Sequence, residues 1–373
     1  MSNRLKILHV VVAGQIGGAE RLLVEIAKRP DVSGANHVTA LMTPSIALAN
    51  FFRENGVTVQ NRGAVHENPL AYLWRSYGPA DIAWLGRVIA AERADILHCH
   101  TYGSHVLAAR AGLRFGVPVL RTEHGVRHYR DPSCGLNRHW ALGHTTKIAA
   151  VSDFVGRTVG EIAPYALDKI TVIRNGIDLT RFEPQPPRPG GPFTVAAVGR
   201  LEPIKRLEIA LGALARLPEM YLDIVGDGAD RVKLGALAQR QGVASRVRFL
   251  GHRADPRTFI AGADAVINCT AQEGMPLAIL EAAAMQRPAI AYGGGGMREA
   301  VVDGRTGWLA HEDGAEAFAD VLRQASADRA EVAARGTAAR AWVETNFDIT
   351  TMCEAYGAVY RSLVSGVKNG RGS

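Results

Sequence analysis

Short apolar segments rich in Val, Ile and Leu alternate with longer helical patterns along almost the whole chain. In the first half, the predicted strands are residues 5–12, 37–42, 57–60, 96–98, 118–122, 147–151 and 170–173. Predicted helices lie between them, among others at residues 19–28, 81–92, 103–115 and 154–162. Continuously apolar strands separated by helices are typical of a parallel β-sheet covered on both faces.

Five prolines within residues 184–192 forbid regular structure there and predict a linker. The alternation then restarts, with predicted strands at residues 193–198, 221–225, 247–250, 265–268 and 289–292. Predicted helices of this half are residues 207–216, 232–241, 277–286 and 315–324. The chain is therefore predicted to be an α/β protein with two doubly wound parallel-sheet domains, 1–183 and 193–348. Ligands of such sheets bind at the carboxyl ends of strands, so we expect the site in a central cleft that both domains face.

Composition narrows the class of protein. The chain has 373 residues, of which 47% are hydrophobic and 21% charged, which excludes wholesale disorder. The four cysteines form no paired spacing, which argues against a disulfide framework and favours a reducing compartment. The apolar run at residues 5–12 is too short for a signal peptide, and no apolar run reaches about 18 residues. We expect a cytoplasmic protein, peripheral on the inner face of the plasma membrane at most.

The positive charge is confined to the first half. Residues 1–188 hold 22 Lys and Arg against 15 Asp and Glu, while the remainder holds 21 of each. The first half also contains ten of the twelve histidines. This asymmetry predicts a polyanionic or membrane-surface partner for the first half, and an ordinary Arg-rich surface remains the alternative.

Two loops are candidates for binding an anion. Gly17 and Gly18 open the first predicted helix, where glycines let the backbone approach an anionic group. A tight turn without a ligand is the alternative. Arg200 and Lys205 follow the first strand of the second domain, at the edge where a ligand is expected. A guanidinium and an ammonium at this edge suit a diphosphate, although such pairs are also common in solvated loops.

The segment from Glu273 to Leu277 leads into a predicted helix that begins near Pro276, and Glu281 lies further along it. Amides at this helix start would face an anion. Carboxylates bind sugar hydroxyls well because each oxygen accepts two hydrogen bonds. A solvent-exposed helix glutamate is the alternative interpretation of Glu281.

Histidines follow two predicted strands of the first domain. His98 and His100, and then Glu123 and His124, are expected on the rim of the site, where imidazoles bind hydroxyls or transfer protons. His98 and His100 are also candidate metal ligands, but the sequence does not show a three-ligand zinc constellation, so we expect no metal. Asn175 is explained equally well as part of a turn or as a ligand contact. The run of four glycines at 293–296 is explained equally well as a turn or as a mobile loop that folds over a ligand.

These motifs together resemble a known family. The chain is similar, nearly end to end, to the retaining glycosyltransferases of family 4, which have the GT-B fold of two Rossmann-like domains. The resemblance depends on the ordered set Gly17-Gly18-Ala19-Glu20, Thr122-Glu123-His124-Gly125, Ala150-Val151-Ser152, Asn175-Gly176-Ile177-Asp178, Gly199-Arg200-Leu201 with Lys205, Val225-Gly226-Asp227-Gly228, and the Glu273 and Glu281 pair. Each motif alone is weak, and the order makes the set specific.

The resemblance implies that the second domain binds a nucleotide-diphosphate sugar. The implied catalytic residues are Arg200, Lys205, Glu273 and His124. Arg200 and Lys205 would hold the diphosphate, and His124 would lie near the donor hexose. The other implied donor contacts are Gly17, Gly18, Asn175, Gly199, Gly226, Gly274, Met275, Pro276, Leu277 and Glu281. Glu281 would hold the ribose, and Glu273 would hold the hexose with the amides of residues 274–277.

The first domain would bind the acceptor. Candidate contacts are His100, Glu123, Arg127 and His128, the last two within the basic and aromatic segment 127–139. The family needs no metal or other cofactor, and nucleic acid is not an expected partner. Its last helix, here 349–366, crosses back to the first domain, which leaves a disordered tail at 367–373.

The implied reaction is retaining transfer of a hexosyl unit from a UDP- or GDP-sugar to a hydroxyl acceptor. The expected acceptor is a lipid-linked or polysaccharide glycan of bacterial cell-surface or exopolysaccharide assembly. The basic first half would suit a lipid diphosphate at an anionic membrane. Arg206 stands where the family often has glycine, which leaves the donor open. The alternatives are a non-hydrolysing sugar-nucleotide epimerase and a non-catalytic binder of nucleotide sugars or polyanions.

Overall fold

The computed structural model describes residues 4–64, 78–130, 134–186 and 190–370. The chain forms two compact units. Unit 1 comprises Met1–Asn175 with Ile349–Ser373, and unit 2 comprises Gly176–Asp348.

Unit 1 is built on a parallel sheet whose strands, in the described part of the chain, have the order β3-β2-β1-β4-β5-β6-β7. The strands are β1 (Leu5–Val11), β2 (Ala35–Leu41), β3 (Thr58–Asn61), β4 (Ile96–Cys99), β5 (Val119–Glu123), β6 (Lys147–Ala150) and β7 (Ile170–Val172). The helices are α1 (Gly18–Ala27), α2 (Pro30–Ser33), α3 (Ile46–Glu54), α4 (Pro79–Glu92), α5 (Tyr102–Phe115), α6 (Gly135–Gly143) and α7 (Asp153–Ile162). Short 3-10 helices lie at Arg127–Arg130 and Pro164–Lys169.

Local capping explains where several of these helices begin. The hydroxyls of Ser45, Thr101 and Ser152 each accept a hydrogen bond from a backbone amide in the first turn of the following helix. In α5 this cap comes directly after the end of β4, so the turn from strand to helix is short. The carboxyl ends of the strands are consequently held close to the helix starts.

Unit 2 repeats the arrangement with the described strand order β10-β9-β8-β11-β12-β13, again all parallel. The strands are β8 (Phe193–Val198), β9 (Met220–Val225), β10 (Val247–Gly251), β11 (Ala265–Asn268), β12 (Ala289–Tyr292) and β13 (Gly307–Ala310). The helices are α8 (Leu207–Leu214), α9 (Arg231–Arg240), α10 (Arg257–Ala261), α11 (Leu277–Ala284), α12 (Met297–Ala300), α13 (Ala315–Ser326) and α14 (Arg329–Asn346), with 3-10 turns at Pro203–Lys205 and Ala244–Arg246.

The boundary between the units differs from the predicted linker at 184–192. The chain joins unit 2 from Gly176 onward, because the Ile177 amide donates to the Phe347 carbonyl at 2.7 Å. Further along, Arg340 donates to the Phe182 carbonyl at 2.7 Å. The segment before the proline-rich stretch is therefore attached to the second sheet's helices, and proline content alone did not reveal this.

The last helix, α15 (Ile349–Gly370), belongs to unit 1. Its buried Met352, Cys353, Tyr356 and Tyr360 pack in one apolar cluster with side chains of the first sheet. The helix runs past the predicted end at residue 366, and residues 371–373 of the predicted disordered tail lie outside the described residues. Among the described helices, none combines the length and hydropathy needed to cross a bilayer.

Candidate functional site

The strand order locates the candidate site in each unit. Both sheets reverse their order beside the first strand, between β1 and β4 in unit 1 and between β8 and β11 in unit 2. Ligands of doubly wound sheets bind outside the carboxyl ends of the strands at this reversal. The loops that follow β8, β9 and β11 therefore frame a candidate site in unit 2, and the loops after β1, β4 and β5 frame one in unit 1.

Glycines allow the loops after β8 and β9 to touch. A Cβ on Gly226 would lie 1.8 Å from the Gly199 carbonyl oxygen, and one on Gly228 would lie 2.4 Å from that of Leu201. Both glycines have φ values in the left-handed region, +153° and +158°. The backbones are joined by a 2.9 Å hydrogen bond from the Leu201 amide to the Asp227 carbonyl. Only glycine permits this approach, which fixes the loop that carries the two predicted diphosphate ligands.

Lys205 and Glu273 form the central ion pair of the unit 2 site. The Lys205 ammonium lies 2.6 Å from Glu273 Oε1, and the Asn268 side-chain amide donates to the same oxygen at 3.2 Å. Burial alone would raise the pKa of Glu273, but the Lys205 charge and these hydrogen bonds together lower it below its ordinary value. Glu273 is therefore an anion in the folded protein. The structure brings together two residues that are 68 positions apart in sequence.

Arg200 lies in the same loop but is exposed. Its side chain is 52% accessible and pairs with Glu202 at 2.8 Å. An exposed pair of this kind contributes little to stability, so the guanidinium can exchange Glu202 for another anion at small cost.

The backbone around Glu273 is held by the glycine run 293–296. The Gly296 amide donates to the Glu273 carbonyl at 2.8 Å, and a Cβ on Gly294 would lie 1.7 Å from the Ala271 carbonyl oxygen. Because the run is packed against residues 271–273, its glycines serve close backbone approach in this structure. The mobile-loop interpretation is not supported by this packing.

Helix α11 begins at Leu277, the first residue of the predicted helix 277–286, with Pro276 as its N-cap residue. Gly274, Met275 and Pro276 are buried, whereas Leu277 and Glu281 are half-buried. Its first amides have no partner within the helix itself, which makes its start suitable for an anion or a hydroxyl. Pro276 has no amide hydrogen, so it cannot donate here.

In unit 1, the glycine loop after β1 has an internal acceptor. The Gly17 amide donates to the buried Glu20 carboxylate at 2.9 Å, and α1 begins at the next residue. The Gly17 amide is thus satisfied within the protein. An anion at this loop would have to displace Glu20 or use other amides.

The sequence predicts the histidines on the rim of the site, but the structure does not place all of them there. His98 and His100 are buried, and His124 is half-buried. His100 Nδ1 lies 3.3 Å from His124 Nε2, and His100 Nε2 lies 2.9 Å from Nδ1 of the buried His9. His9 Nε2 in turn lies 2.9 Å from His37 Nδ1. We call His37, His9, His100 and His124 the histidine row.

Burial keeps these imidazoles neutral. It lowers the pKa of His37 to about 3 and that of His124 to about 4. Burial and the neighbouring histidines place the pKa values of His9, His98 and His100 well below the ordinary value. At neutral pH each ring therefore has one N–H and one lone pair.

The sequence predicts Glu123 as an acceptor contact, but the structure places its carboxylate inside the protein. It is 1% exposed, and its carboxylate receives Arg121 Nη2 at 3.0 Å and the Tyr129 hydroxyl at 3.0 Å. Its pKa is lowered, because the Arg121 charge and these hydrogen bonds outweigh the effect of burial. Glu123 is thus an internal counter-ion. Its neighbour His128 lies 3.5 Å away and is partly accessible, and Arg127 is exposed.

Asn175 ends unit 1 as a buried residue. Its Oδ1 finds no hydrogen-bond partner among the described residues. A buried amide oxygen without a partner is unusual in a folded protein. This is compatible with either interpretation of the residue, since a turn explains its position and a ligand hydroxyl would satisfy its oxygen.

The described residues include one group of histidines close enough to be considered as metal ligands. Nitrogens of His9, His98 and His100 lie within 4.8 Å of one another. Both His98 nitrogens are engaged, Nδ1 with the Tyr360 hydroxyl at 3.0 Å and Nε2 with Thr122 at 2.8 Å. His9 and His100 face each other at 2.9 Å, a hydrogen-bond distance, whereas two nitrogens on one zinc lie about 3.3 Å apart. The arrangement fits hydrogen bonds better than a cation.

Comparison with known proteins identifies the class of enzyme. The family model described as Glycosyltransferase Family 4 matches residues 16–181, and that described as Glycosyl transferases group 1 matches residues 179–342. The glycogen synthase of Mycobacterium tuberculosis is 31% identical over 291 residues, which cover 74% of this chain and 70% of that protein. The chain belongs to family 4 of the glycosyltransferases. A D-inositol 3-phosphate glycosyltransferase of Streptomyces scabiei is 27% identical to this glycosyltransferase, covering 96% of the chain and 89% of that protein.

Solved structures share the fold of this glycosyltransferase. Anabaena HepE in complex with UDP and glucose has a TM-score of 0.82 at 24% identity and covers 96% of this chain and 100% of its own. Sucrose-phosphate synthase from Thermosynechococcus elongatus has a TM-score of 0.87 at 18% identity, covering 97% and 100%. The predicted GT-B fold with two Rossmann-like, doubly wound domains is confirmed.

Sequence reasoning missed several residues that shape the sites of this glycosyltransferase. His9 and His37 lie inside strands that we interpreted only as apolar core, and Asn268 ends β11 without a recognisable motif. Glu202 was not singled out although it pairs with Arg200. A polar residue inside an otherwise apolar strand was the available signal for the two histidines, since such residues need an internal partner.

Proposed function

We propose that this glycosyltransferase transfers a hexosyl unit from a UDP- or GDP-sugar to a hydroxyl acceptor, with retention of the anomeric configuration and without a metal ion. The observation that carries the proposal is the Lys205 and Glu273 pair, 2.6 Å apart, beside the strand reversal of unit 2. Relatives support the donor class, since HepE was crystallised with UDP-glucose and the Mycobacterium tuberculosis protein is named a glycogen synthase.

Donor binding would exchange internal ion pairs for contacts with the donor. In the free protein Lys205 is paired with Glu273 and Arg200 with Glu202. A diphosphate at the loop after β8 would attract both basic groups. Glu273 would then be free to accept hydrogen bonds from hexose hydroxyls, and Glu281 would bind the ribose. The two cations would supply the counter-charge that a metal ion supplies to diphosphates in other enzymes.

The proposed chemical step needs no further reagent. The bond between the anomeric carbon and the diphosphate oxygen breaks, and its electron pair stays with the diphosphate. The acceptor oxygen bonds to the anomeric carbon on the same face, and its proton passes to the departing phosphate oxygen. Arg200 and Lys205 would stabilise the charge that accumulates on the leaving group, so their contribution is largest in the transition state.

A donor screen tests the proposal. The full chain is incubated with UDP- and GDP-sugars, with and without a mixture of lipid and sugar acceptors, and released nucleotide is measured in the presence of EDTA. We expect acceptor-dependent release from one donor, unaffected by EDTA. Complete loss of activity with EDTA would contradict metal independence. Formation of a new nucleotide sugar without acceptor would identify an epimerase instead, and donor binding without any turnover would identify a binding protein.

We further propose that the acceptor is lipid-linked and that unit 1 reaches it at the cytoplasmic face of an anionic membrane. Trp140, Tyr165 and Leu167 are 37%, 51% and 59% exposed. Lys147 and Lys169 belong to the same surface, because their ammonium groups bond the carbonyls of residues 168 and 143. Exposed aromatic and aliphatic side chains beside lysines are typical of interfacial surfaces. We call these five residues the aromatic–basic surface.

Flotation with liposomes tests the membrane contact. The wild type is expected to float with anionic liposomes at low salt and to be released at high salt, because each nearby lysine contributes about 1 kcal/mol. Leu167→Ser should weaken flotation, while Val232→Ser, which alters an even more exposed apolar residue of unit 2, should not. No binding at low salt, or equal weakening by both variants, would contradict this proposal and leave the donor chemistry untouched.

A further inference from the structure

The histidine row continues at both ends. At the inner end His37 Nε2 lies 3.3 Å from the hydroxyl of Ser33, which ends α2. That hydroxyl lies 3.2 Å from the backbone carbonyl oxygen of Arg29. At the outer end, no described residue forms a hydrogen bond with His124 Nδ1. The row therefore runs from a carbonyl oxygen, through one hydroxyl and four imidazoles, to a ring nitrogen that has no partner among the described residues.

The strand order explains why the imidazoles line up. His37 lies on β2 and His9 on β1, while His100 follows β4 and His124 follows β5. These four strands are neighbours in the sheet, in the order β2-β1-β4-β5. Each strand thus contributes one ring, and adjacent rings meet at hydrogen-bond distances of 2.9–3.3 Å.

Counting hydrogens shows which nitrogen of each ring in the histidine row donates a hydrogen bond. The row has five contacts, counting that of Ser33 with the Arg29 carbonyl. A neutral imidazole supplies one hydrogen and a hydroxyl supplies one, so five hydrogens are present for five contacts. A carbonyl oxygen can only accept, so the Ser33–Arg29 contact holds a hydrogen only when the Ser33 hydroxyl donates to Arg29. His37 must then donate from Nε2 to Ser33, and every following ring must also donate from Nε2.

The last ring is fixed by the same rule. His124 donates from Nε2 to His100 Nδ1, which leaves Nδ1 of His124 with a lone pair. The reversed assignment, in which Ser33 donates to His37 and every ring donates from Nδ1, loses the Ser33–Arg29 contact and leaves two oxygens 3.2 Å apart with no hydrogen between them. A mixed assignment turns two lone pairs or two N–H groups of neighbouring rings toward each other. The tautomers of the four rings are therefore coupled, because one ring cannot change without disturbing its neighbours.

We propose that the histidine row holds His124 in its Nε2–H tautomer, so that Nδ1 is a hydrogen-bond acceptor for a hydroxyl group of a bound ligand. Ser33, His37, His9 and His100 are positioning residues that act through His124. The tautomer is a property of the free protein, whereas its use by a sugar hydroxyl rests on the proposed function. The low pKa values of the buried rings support the count, since it requires neutral imidazoles.

Nitrogen NMR of the full-length protein tests the tautomers. The chain is labelled with 15N-histidine, and long-range proton–nitrogen correlations report at neutral pH which ring nitrogen carries hydrogen. The signals of His124 are identified by their loss in His124→Gln. We expect the four rings of the row to carry hydrogen on Nε2, with a ratio of at least about tenfold over the other tautomer at His124.

A distant variant tests the coupling. Ser33→Ala removes the hydroxyl that fixes the direction but touches no atom of His124. We expect the tautomer ratio at His124 to fall to within about threefold of unity. Thr145→Ala is the matched control, because Thr145 bonds His105, a buried histidine outside the row, at 2.7 Å. It should change the signals of His105 and leave those of His124 unchanged.

Three results would overturn the inference. The first is hydrogen on Nδ1 of His124 in the wild type, which decides the question even if Ser33→Ala does not fold. The second is an unchanged tautomer ratio in folded Ser33→Ala. The third is stoichiometric zinc in the purified protein together with metal-shifted signals of His9 and His100. A protein with the expected tautomers but without activity in the donor screen would contradict the proposed function alone.

Discussion

Replacing Lys205 by methionine separates the contribution of the Lys205–Glu273 ion pair to stability from the contribution of Lys205 to catalysis. Its ammonium lies 2.6 Å from Glu273, and the two side chains are 29% and 17% exposed. Breaking a surface pair costs about 0–1 kcal/mol and a buried one about 3–5 kcal/mol, so this partly screened pair should cost about 1–3 kcal/mol in the free energy of unfolding. In a unit of this size that lowers the melting temperature by roughly 2–12 °C.

Activity should fall much further than stability. If Lys205 stabilises the departing diphosphate, its removal should reduce kcat by about a hundredfold to a thousandfold, the loss typical of removing one donor to a developing anion. The assays are nucleotide release for kcat and thermal unfolding for stability. Lys233→Met is the matched control, because it removes an exposed lysine of helix α9 in the same unit, and both quantities should stay at wild-type values.

The double variant Lys205→Met/Glu273→Gln completes the test. It removes both charges, so it should recover most of the lost stability, because no uncompensated carboxylate remains. It should stay inactive, because the leaving group still lacks its counter-charge. Wild-type turnover in Lys205→Met, or recovery of turnover in the double variant, would refute the proposed role of Lys205.

Three further results are expected. Arg200→Met should change the free energy of unfolding by less than about 0.5 kcal/mol, because its pair with Glu202 is exposed. It should nevertheless lower kcat by at least about tenfold in the nucleotide-release assay. A loss of activity no larger than the loss of stability explains would contradict this. Gly226→Ala should lower stability by at least about 2 kcal/mol in urea unfolding, since its Cβ would meet a carbonyl oxygen at 1.8 Å, while Gly143→Ala, with open space at its Cβ, should be nearly neutral. Finally, the buried histidines have folded-state pKa values below their unfolded value of about 6.5, so the unfolded chain takes up protons first as the pH falls. The stability that the neutral histidines contribute should be fully present above that pH and should decline as the pH falls further. The decline should continue to pH values of about 4 and about 3, where His124 and His37 protonate in the folded state. Its slope should be at most about 1.4 kcal/mol per pH unit for each histidine. Urea unfolding at several pH values measures this, and a flat profile between about pH 5 and 8 would contradict it.

Strands were the most predictable part of the fold. Strands β8, β11 and β12 begin and end where the apolar runs predicted, because a strand buried on both faces is apolar at every position. Strand β13 was missed because Gly307–Ala310 contains no Val or Ile and begins with glycine, although all four of its residues are buried. Helix α14 was missed because its 18 residues are mostly Ala, Arg and Glu, with few apolar positions to give a periodic signal.

The candidate site was predictable where motifs follow strands. The loops carrying Arg200 and Glu273 lie at the expected ends of β8 and β11, because the carboxyl ends of parallel strands share one edge of a sheet. The ion pair from Lys205 to Glu273 was not predicted, since it depends on which strands are neighbours. The histidine row was invisible for the same reason, because its order in space is set by the strand order and not by the order in sequence.

The central claim is that unit 2 binds the diphosphate of a nucleotide sugar through Arg200 and Lys205. Calorimetric titration of the full chain with UDP, UMP, GDP and GMP tests it most directly. The account predicts that one diphosphate binds at least about tenfold more tightly than its monophosphate, a difference of about 1.4 kcal/mol, and that Lys205→Met removes this preference. Equal affinity for mono- and diphosphate in the wild type, or an unchanged preference in Lys205→Met, would contradict it.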